Sequence, residues 1–272
     1  MSNKQGVTRV ELRMRLISAA VGIPVLALIV WAGGYLMAAV TALAAAVALN
    51  EALRLVAGAG WSPVWRVGMA WGVVTVAAAA FDGGWVLWAF AGGAAVALVA
   101  AVAVRRSLAF VGTFAVTALA TAYVALPLAS IVLLRDGPGG LQWLVLAFAA
   151  TFATDTGAYF VGRRFGRHKM APSISPGKTW EGAAGGFAAA VAATVALAIL
   201  LPDVPLAELE ALVLGVGIGV VAQAGDLFES KVKRLAGVKD SGTFMPGHGG
   251  ILDRLDSLLA VFPLVYLASR LA

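Results

Sequence analysis

The 272-residue chain has no cysteine, only two histidines and few charged residues. Without cysteine it can form neither disulfides nor thiolate metal sites, and it has no thiol nucleophile. It also lacks the Gly-x-Ser-x-Gly motif that presents a serine nucleophile on a sharp turn. Charged residues make up 12% of the chain, whereas soluble domains average about 25%. These absences argue against covalent catalysis and against an ordinary soluble domain.

Apolar residues take the place of the missing charge. They account for 61% of the chain and give a mean hydropathy of +0.92, which is more than one small core can bury. Many apolar runs approach the ~20 residues that cross a bilayer as a helix. We therefore predict an all-α, polytopic integral membrane protein with about nine transmembrane helices. The predicted spans are 14–32, 35–50, 67–81, 84–104, 109–134, 141–162, 183–201, 209–228 and 251–270.

The basic residues predict the orientation. Those before residue 16 resemble a signal-peptide start, but no small-residue cleavage site followed by a polar chain appears, so we expect an uncleaved first span. With a cytoplasmic N-terminus, every Lys and Arg except Arg135 and Arg270 falls on the cytoplasmic side, as the positive-inside rule requires. The formal net charge of +6 then orients the protein and attracts anionic lipid. We expect no nucleic-acid partner.

The polar residues are concentrated in one half of the chain. We predict a single integral membrane domain, 1–272, in which the N-terminal part, 1–140, consists of membrane helices. The catalytic half, 141–272, is predicted to carry two large cytoplasmic loops, 163–182 and 229–250, which hold most of the polar residues.

Several candidate residues lie in or just before the first of these loops. Asp155 falls within a predicted span, where a carboxylate costs about 2.5–3.5 kcal/mol. It therefore lines a polar cavity or pairs with a basic residue on a neighbouring helix. Ser175 and Lys178 stand just before a helix start, where a phosphate can bind, and Thr179 either joins them or caps the helix. The segment lacks the first glycine of a P-loop.

Acidic residues mark the ends of the last two spans. Asp226 ends the eighth span, and Glu229 and Ser230 follow on the same helix face. Asp253 and Asp256 begin the ninth span. A helix dipole explains an acid at a helix start but not Asp226 at a helix end. Because Mg²⁺ binds one or two carboxylates together with water and phosphate oxygens, we predict a Mg²⁺ site where these helix ends meet.

The loop between these spans suits an anionic substrate. Gly249 and Gly250 allow close backbone approach, and His248 either binds a phosphate or fixes the loop. The nearby basic residues either only follow the positive-inside rule or, for some of them, bind polyphosphate, which their concentration next to the acids favours. They are Lys231, Lys233, Arg234 and Lys239. A phosphomonoester is largely dianionic near neutral pH, so it can attack another phosphorus without a general base. Metal and positive charge are then sufficient for phosphoryl or nucleotidyl transfer.

Together these residues resemble the signature of the phosphatidate cytidylyltransferase family, also called CDP-diacylglycerol synthase. The matching positions are Ser230, Lys233-Arg234, Lys239-Asp240, Gly242, Pro246, His248-Gly249-Gly250, Asp253-Arg254 and Asp256, with Ser175–Gly182 and Gly225-Asp226 upstream. Met245 is a conservative departure, since another apolar residue is usual there.

The resemblance implies a reaction in phospholipid biosynthesis: CTP and phosphatidate give CDP-diacylglycerol and pyrophosphate. It implies Mg²⁺, with a second cation left open, a homodimer, and a bacterial inner-membrane enzyme whose active site faces the cytoplasm and the lipid. By carry-over, Asp226 and Asp253 are the metal ligands and act catalytically with Lys239 and Asp256. The implied substrate-binding residues are Ser175, Lys178, Thr179, Lys233, Arg234, Asp240, His248, Gly249, Gly250 and Arg254.

Two alternatives fit less well. A transporter would use Asp155 and Asp226 as coupling sites, but its charges should then line a path through many spans. Here the charges collect on one side. A CDP-alcohol phosphotransferase needs an Asp-x-x-Asp-Gly array with further acids downstream. Asp253 and Asp256 have the first spacing, but Ser257 replaces the glycine and the later acids are missing.

Overall fold

The computed structural model describes residues 24–105, 107–242 and 249–272. The predicted anion-binding His248 and the first part of span 14–32 lie outside these ranges. Residues 24–32 are helical. The helices that follow are α1 (Gly34–Gly58), α2 (Trp65–Ala78), α3 (Gly83–Val104), α4 (Ala109–Asp136), α5 (Gly140–Phe165), α6 (Trp180–Leu200), α7 (Glu208–Leu235) and α8 (Leu252–Leu271). Helices dominate the described chain, so the predicted all-α class is confirmed.

Within the described residues, six helices are long and apolar enough to cross a membrane: α1, α3, α4, α5, α6 and α7. Helix α2, which corresponds to predicted span 67–81, has 14 residues. At 1.5 Å per residue it is about 21 Å long, shorter than the ~30 Å hydrocarbon core of a bilayer. Helix α8 is not among the six. The predicted count of nine spans and the orientation of the N-terminus are therefore not confirmed.

The second predicted loop is shorter than expected. Helix α7 continues to Leu235, so residues 229–235 of predicted loop 229–250 are helical. The physical reason is that Glu229 and Lys233 form an ion pair one turn apart, and basic residues are favourable at a helix C-terminus. The predicted phosphate-binding Lys233 and Arg234 thus stand on a helix.

The first predicted loop is also partly ordered. Helix α5 extends to Phe165, and the antiparallel strands β1 (Lys169–Ala171) and β2 (Ser175–Thr179) form a hairpin between α5 and α6. The Thr179 hydroxyl accepts a hydrogen bond from the Gly182 backbone N–H at 3.1 Å. This bond is the helix cap that the sequence left as one of two roles for Thr179.

Glycines bring the helices of the C-terminal half close together. A Cβ on Gly182 would collide with the Ala158 carbonyl of α5, and one on Gly186 would collide with the Thr154 carbonyl. Gly215 and Gly219 similarly face α6. The glycines in each of these two pairs are four residues apart, the spacing that lets membrane helices pack closely. They hold α5, α6 and α7 together, and each of these helices ends or begins beside the candidate site.

Candidate active site

One ion pair joins the hairpin to α7. Lys178 of β2 places its Nζ 2.7 Å from Oδ2 of Asp226. The Ser230 hydroxyl, one turn further along α7, donates to the Asp226 Oδ1 at 3.3 Å. The shared helix face predicted for Asp226 and Ser230 is confirmed, and a predicted phosphate-binding lysine meets a predicted metal ligand.

Three carboxylates, one of them in this pair, lie close enough to interact electrostatically. Asp155 of α5, Asp226 of α7 and Asp256 of α8 interact electrostatically with one another, and Lys178 attracts Asp155. Gly225 makes the approach of α8 possible, because a Cβ at this position would collide with the Asp256 carbonyl. Like charges held together in this way favour the binding of a cation or of a lysine. Asp155 therefore belongs to the same site as the acids of α7 and α8.

A second ion pair joins α7 to α8. Lys233 Nζ lies 2.5 Å from Asp253 Oδ1 and 3.1 Å from Glu229 Oε1. The Glu229 residue is 1% exposed, so this cluster is buried. The backbone N–H and hydroxyl of Ser241 and the N–H of Gly250 each donate to Asp253 Oδ2 at 2.8 Å. Asp253 thus fixes both ends of the loop that contains the predicted anion site.

A buried carboxylate on α1 reaches the same loop. Glu51 is 4% exposed and accepts hydrogen bonds from the backbone N–H groups of Ile251 at 3.2 Å and Leu252 at 2.8 Å. The Ser241 hydroxyl is 3.2 Å from Glu51 Oε2. The N-terminal helices therefore contribute directly to the start of α8.

The remaining predicted residues surround these clusters. The Arg234 side chain donates to the carbonyls of Ile174 at 3.2 Å and Val238 at 3.1 Å, which ties the end of α7 to the hairpin. Gly249 has a φ of +82°, a left-handed conformation that favours glycine. Ser175 pairs with Ala171 in the hairpin. The exposed predicted residues are Asp155, Lys231, Arg234, Lys239, Asp240 and Arg254.

The donor atoms suit Mg²⁺ only in part. Among residues 24–105, 107–242 and 249–272, no three His, Cys, Asp or Glu side chains are grouped so that they hold an ion by themselves. Asp226 and Asp253 are each paired with a lysine. However, Mg²⁺ usually takes one or two carboxylates and completes its shell with water and substrate phosphates. One carboxylate from α7 and one from α8 would meet that requirement, with substrate phosphates completing the shell.

An apolar groove adjoins the carboxylates. Its volume is about 370 Å³, and its lining residues are Tyr123, Pro127, Val221, Ala224, Gly225, Phe228, Leu259 and Ala260. The rings of Tyr123 and Phe228 pack with centroids 5.1 Å apart. Within the part of the chain that the structure describes, the buried Tyr123 hydroxyl has no hydrogen-bond partner. Gly225, the residue directly before Asp226, is one of the lining residues.

Residues 13–272 match the model of the cytidylyltransferase family. The chain belongs to this family. It is also 49% identical over 144 residues to a protein of Brucella suis biovar 1 (strain 1330) that is named phosphatidate cytidylyltransferase, with 51% of each chain covered.

Two further relatives carry the same name. The protein of Bacillus subtilis (strain 168) is 47% identical over 128 residues, which cover 47% of each chain. The protein of Staphylococcus saprophyticus is 45% identical over 126 residues, covering 46% of this chain and 48% of the relative. The chain therefore spans about half the length of the curated relatives it matches.

Two residues of this cytidylyltransferase-family chain escaped the sequence analysis. Glu51 follows predicted span 35–50 directly, and a carboxylate at the edge of an apolar run is a signal that could have marked it. Tyr123 lies inside an apolar span, where a single tyrosine is ordinary. No pattern in the sequence distinguishes it.

Proposed function

We propose that the chain transfers a cytidylyl group from CTP to phosphatidate and so makes CDP-diacylglycerol for phospholipid biosynthesis. An oxygen of the phosphatidate phosphate attacks the α-phosphorus of CTP in line. The bond from that phosphorus to the bridging oxygen of the β-phosphate breaks, and pyrophosphate leaves. The observation that carries this proposal is the meeting of Lys178 and Asp226 at 2.7 Å. This ion pair joins two segments of the signature, Ser175–Gly182 and Gly225-Asp226. The chain belongs to the cytidylyltransferase family and is similar to proteins named phosphatidate cytidylyltransferase.

The two lysine–aspartate pairs account for the charge that the reaction requires. A cation added at the carboxylates and phosphates added at the lysines keep the local charge balanced, which matters where water is scarce. Lys178 and Lys233 are therefore proposed to bind the triphosphate. Asp226 and the α8 carboxylates Asp253 and Asp256 would hold the Mg²⁺, whose charge stabilises the phosphate oxygens.

The chain needs no general base for this reaction. The phosphatidate phosphate is already a dianion near neutral pH and supplies the attacking oxygen itself. The protein then has to orient two anions and neutralise their repulsion, which accounts for most catalysis in phosphoryl transfer. The lack of cysteine and of a serine nucleophile motif is consistent with such a direct displacement.

The lipid substrate is proposed to remain partly in the bilayer. The groove at Tyr123 borders Asp226, so the diacylglycerol portion would lie in the groove while the phosphate reaches the carboxylates and lysines. The positive-inside pattern of the sequence supports an active site on the cytoplasmic side of a bacterial inner membrane. We also propose a homodimer, as the family resemblance implies.

The direct test is pyrophosphate release by the detergent-purified protein with CTP, Mg²⁺ and phosphatidate. We expect CDP-diacylglycerol and pyrophosphate in equal amounts. Replacing phosphatidate with diacylglycerol, which lacks the attacking phosphate, should abolish both products. A folded protein that releases no pyrophosphate under these conditions would contradict the proposal and favour a transporter.

A further inference from the structure

We propose that Glu51 is a positioning residue that anchors the start of α8 and thereby fixes the Asp253 carboxylate for the reaction. This inference rests on the function proposed above. Glu51 belongs to α1, far in sequence from the motif residues: Leu252 lies 201 positions after it in the chain. Its role is to connect the N-terminal helices with the site.

The surroundings of Glu51 show which groups hold its carboxylate in place. A charged side chain is almost never fully buried unless it is paired. Among the described residues, the ion pairs are formed by other side chains, and Glu51 is held instead by the backbone N–H groups of Ile251 and Leu252. These groups belong to the first turn of α8, whose N–H groups lack partners within the helix. Glu51 thus caps α8 from another helix.

Ser241 links the cap to the site. Its hydroxyl donates to Asp253 Oδ2 at 2.8 Å and also lies 3.2 Å from Glu51 Oε2. A hydroxyl has only one proton, and the shorter contact is the one to Asp253. Glu51 therefore limits where Ser241 and Asp253 can move, although it touches neither the proposed substrate lysines nor Asp226.

Two glycines show how tightly the anchor is enclosed. A Cβ on Gly250 would collide with both Glu51 and Ser241, and a Cβ on Gly242 would collide with Glu51. Interiors packed this closely transmit small displacements instead of absorbing them. A change at Glu51 should therefore shift the first turn of α8, which carries Asp253.

The variants for the test are Glu51→Gln and Glu51→Ala. Glutamine keeps the size and one acceptor oxygen, whereas alanine removes both acceptors. We expect kcat to fall roughly 10-fold or more for glutamine and further for alanine, as for other residues that orient ligand side chains. The KM for CTP should change little, and the Mg²⁺ concentration for half-maximal activity should rise.

Hydrogen–deuterium exchange of the Mg²⁺-free protein supplies a second measurement. The amides of Ile251 and Leu252 should exchange faster in both variants, in the same order as the loss of kcat. Thr75→Ala is the matched control, because Thr75 is fully buried and its hydroxyl bonds only to its own helix, at the Trp71 carbonyl. This control should lower the unfolding temperature without changing kcat or exchange at α8.

Unchanged exchange at Ile251 and Leu252 in folded Glu51→Gln would overturn the proposal. So would a fall in kcat that follows the unfolding temperature equally in the Glu51 and Thr75 variants. A wild-type protein that makes no CDP-diacylglycerol would overturn the proposed activity instead. In that case the exchange measurement still decides whether Glu51 anchors α8.

Discussion

The two lysine–aspartate pairs at the site differ in how firmly the fold holds them. In the Lys178–Asp226 pair the side chains are 22% and 31% exposed, whereas in the Lys233–Asp253 pair they are 11% and 6% exposed. The first pair joins a hairpin to α7 and has one further contact, from Ser230. The second is shared with Glu229, Ser241 and Gly250. The accessible pair can open for substrate at small cost, while the buried pair also holds the structure together.

The largest effect should come from breaking the buried pair with Asp253→Asn. Asparagine keeps an oxygen for Ser241 and Gly250 but loses the charge that faces Lys233. We expect turnover to fall roughly 100-fold or more, because a proposed metal ligand and the orientation of Lys233 are both lost. The variant should also lose about 1–3 kcal/mol of stability, since one charge partner of a buried lysine is removed.

Pyrophosphate release and thermal unfolding measure the two effects separately. Asp240→Asn is the matched control, because Asp240 belongs to the same motif and is exposed. It should leave the unfolding temperature unchanged. Turnover close to wild type in Asp253→Asn would contradict the role of Asp253 as a metal ligand and leave it as a loop anchor.

A smaller and different effect should come from Lys178→Ala. This change removes the lysine of the accessible pair, which few other contacts depend on. We expect a rise in KM for CTP or phosphatidate of about 10- to 100-fold, the value of one hydrogen bond to a charged group, with little loss of stability. Lys169→Ala makes the same charge change on the exposed end of the hairpin and should leave KM unaltered. Unchanged kinetics in Lys178→Ala would assign Lys178 to structure alone.

This difference between the pairs could not be predicted from the sequence. Spacing and residue type identified Lys178, Asp226, Lys233 and Asp253 because metal and phosphate chemistry needs these groups. Which lysine meets which aspartate depends on how α5 to α8 pack, and the hairpin that aims Lys178 at Asp226 was not foreseen.

The fold was predictable where local rules decide it. Within the described residues, six of the apolar runs form helices long and apolar enough to cross a membrane, because sustained hydropathy is a strong signal for such helices. The end of α7 was misplaced because hydropathy falls at Asp226 while the helix continues to Leu235. The contact between Glu51 and α8 could not be predicted, because Glu51 binds backbone N–H groups there and every residue type except proline has such a group.

Thr179→Val separates a helix cap from a substrate contact at the start of α6. Valine keeps the shape but removes the oxygen that accepts the Gly182 N–H, so we expect a stability loss of about 1 kcal/mol. Thermal unfolding measures this loss, and Thr179→Ser, which keeps the oxygen, should retain most of the stability. A rise in KM for CTP without any change in the unfolding temperature would instead favour the substrate-binding role predicted for Thr179.

The smallest effect is expected from Tyr123→Phe, which tests whether the groove between the two pairs holds the lipid. Tyr123 interacts electrostatically with acids of both clusters, Asp226 and Glu229. Removing a hydroxyl that has no hydrogen-bond partner among the described residues should leave stability unchanged or slightly higher. If a polar group of phosphatidate bonds to this hydroxyl, the KM for phosphatidate should rise about 2- to 10-fold while the KM for CTP stays constant. Tyr159→Phe, which removes the hydroxyl bound to Arg163, is the control, and equal kinetics in both variants would place the lipid elsewhere.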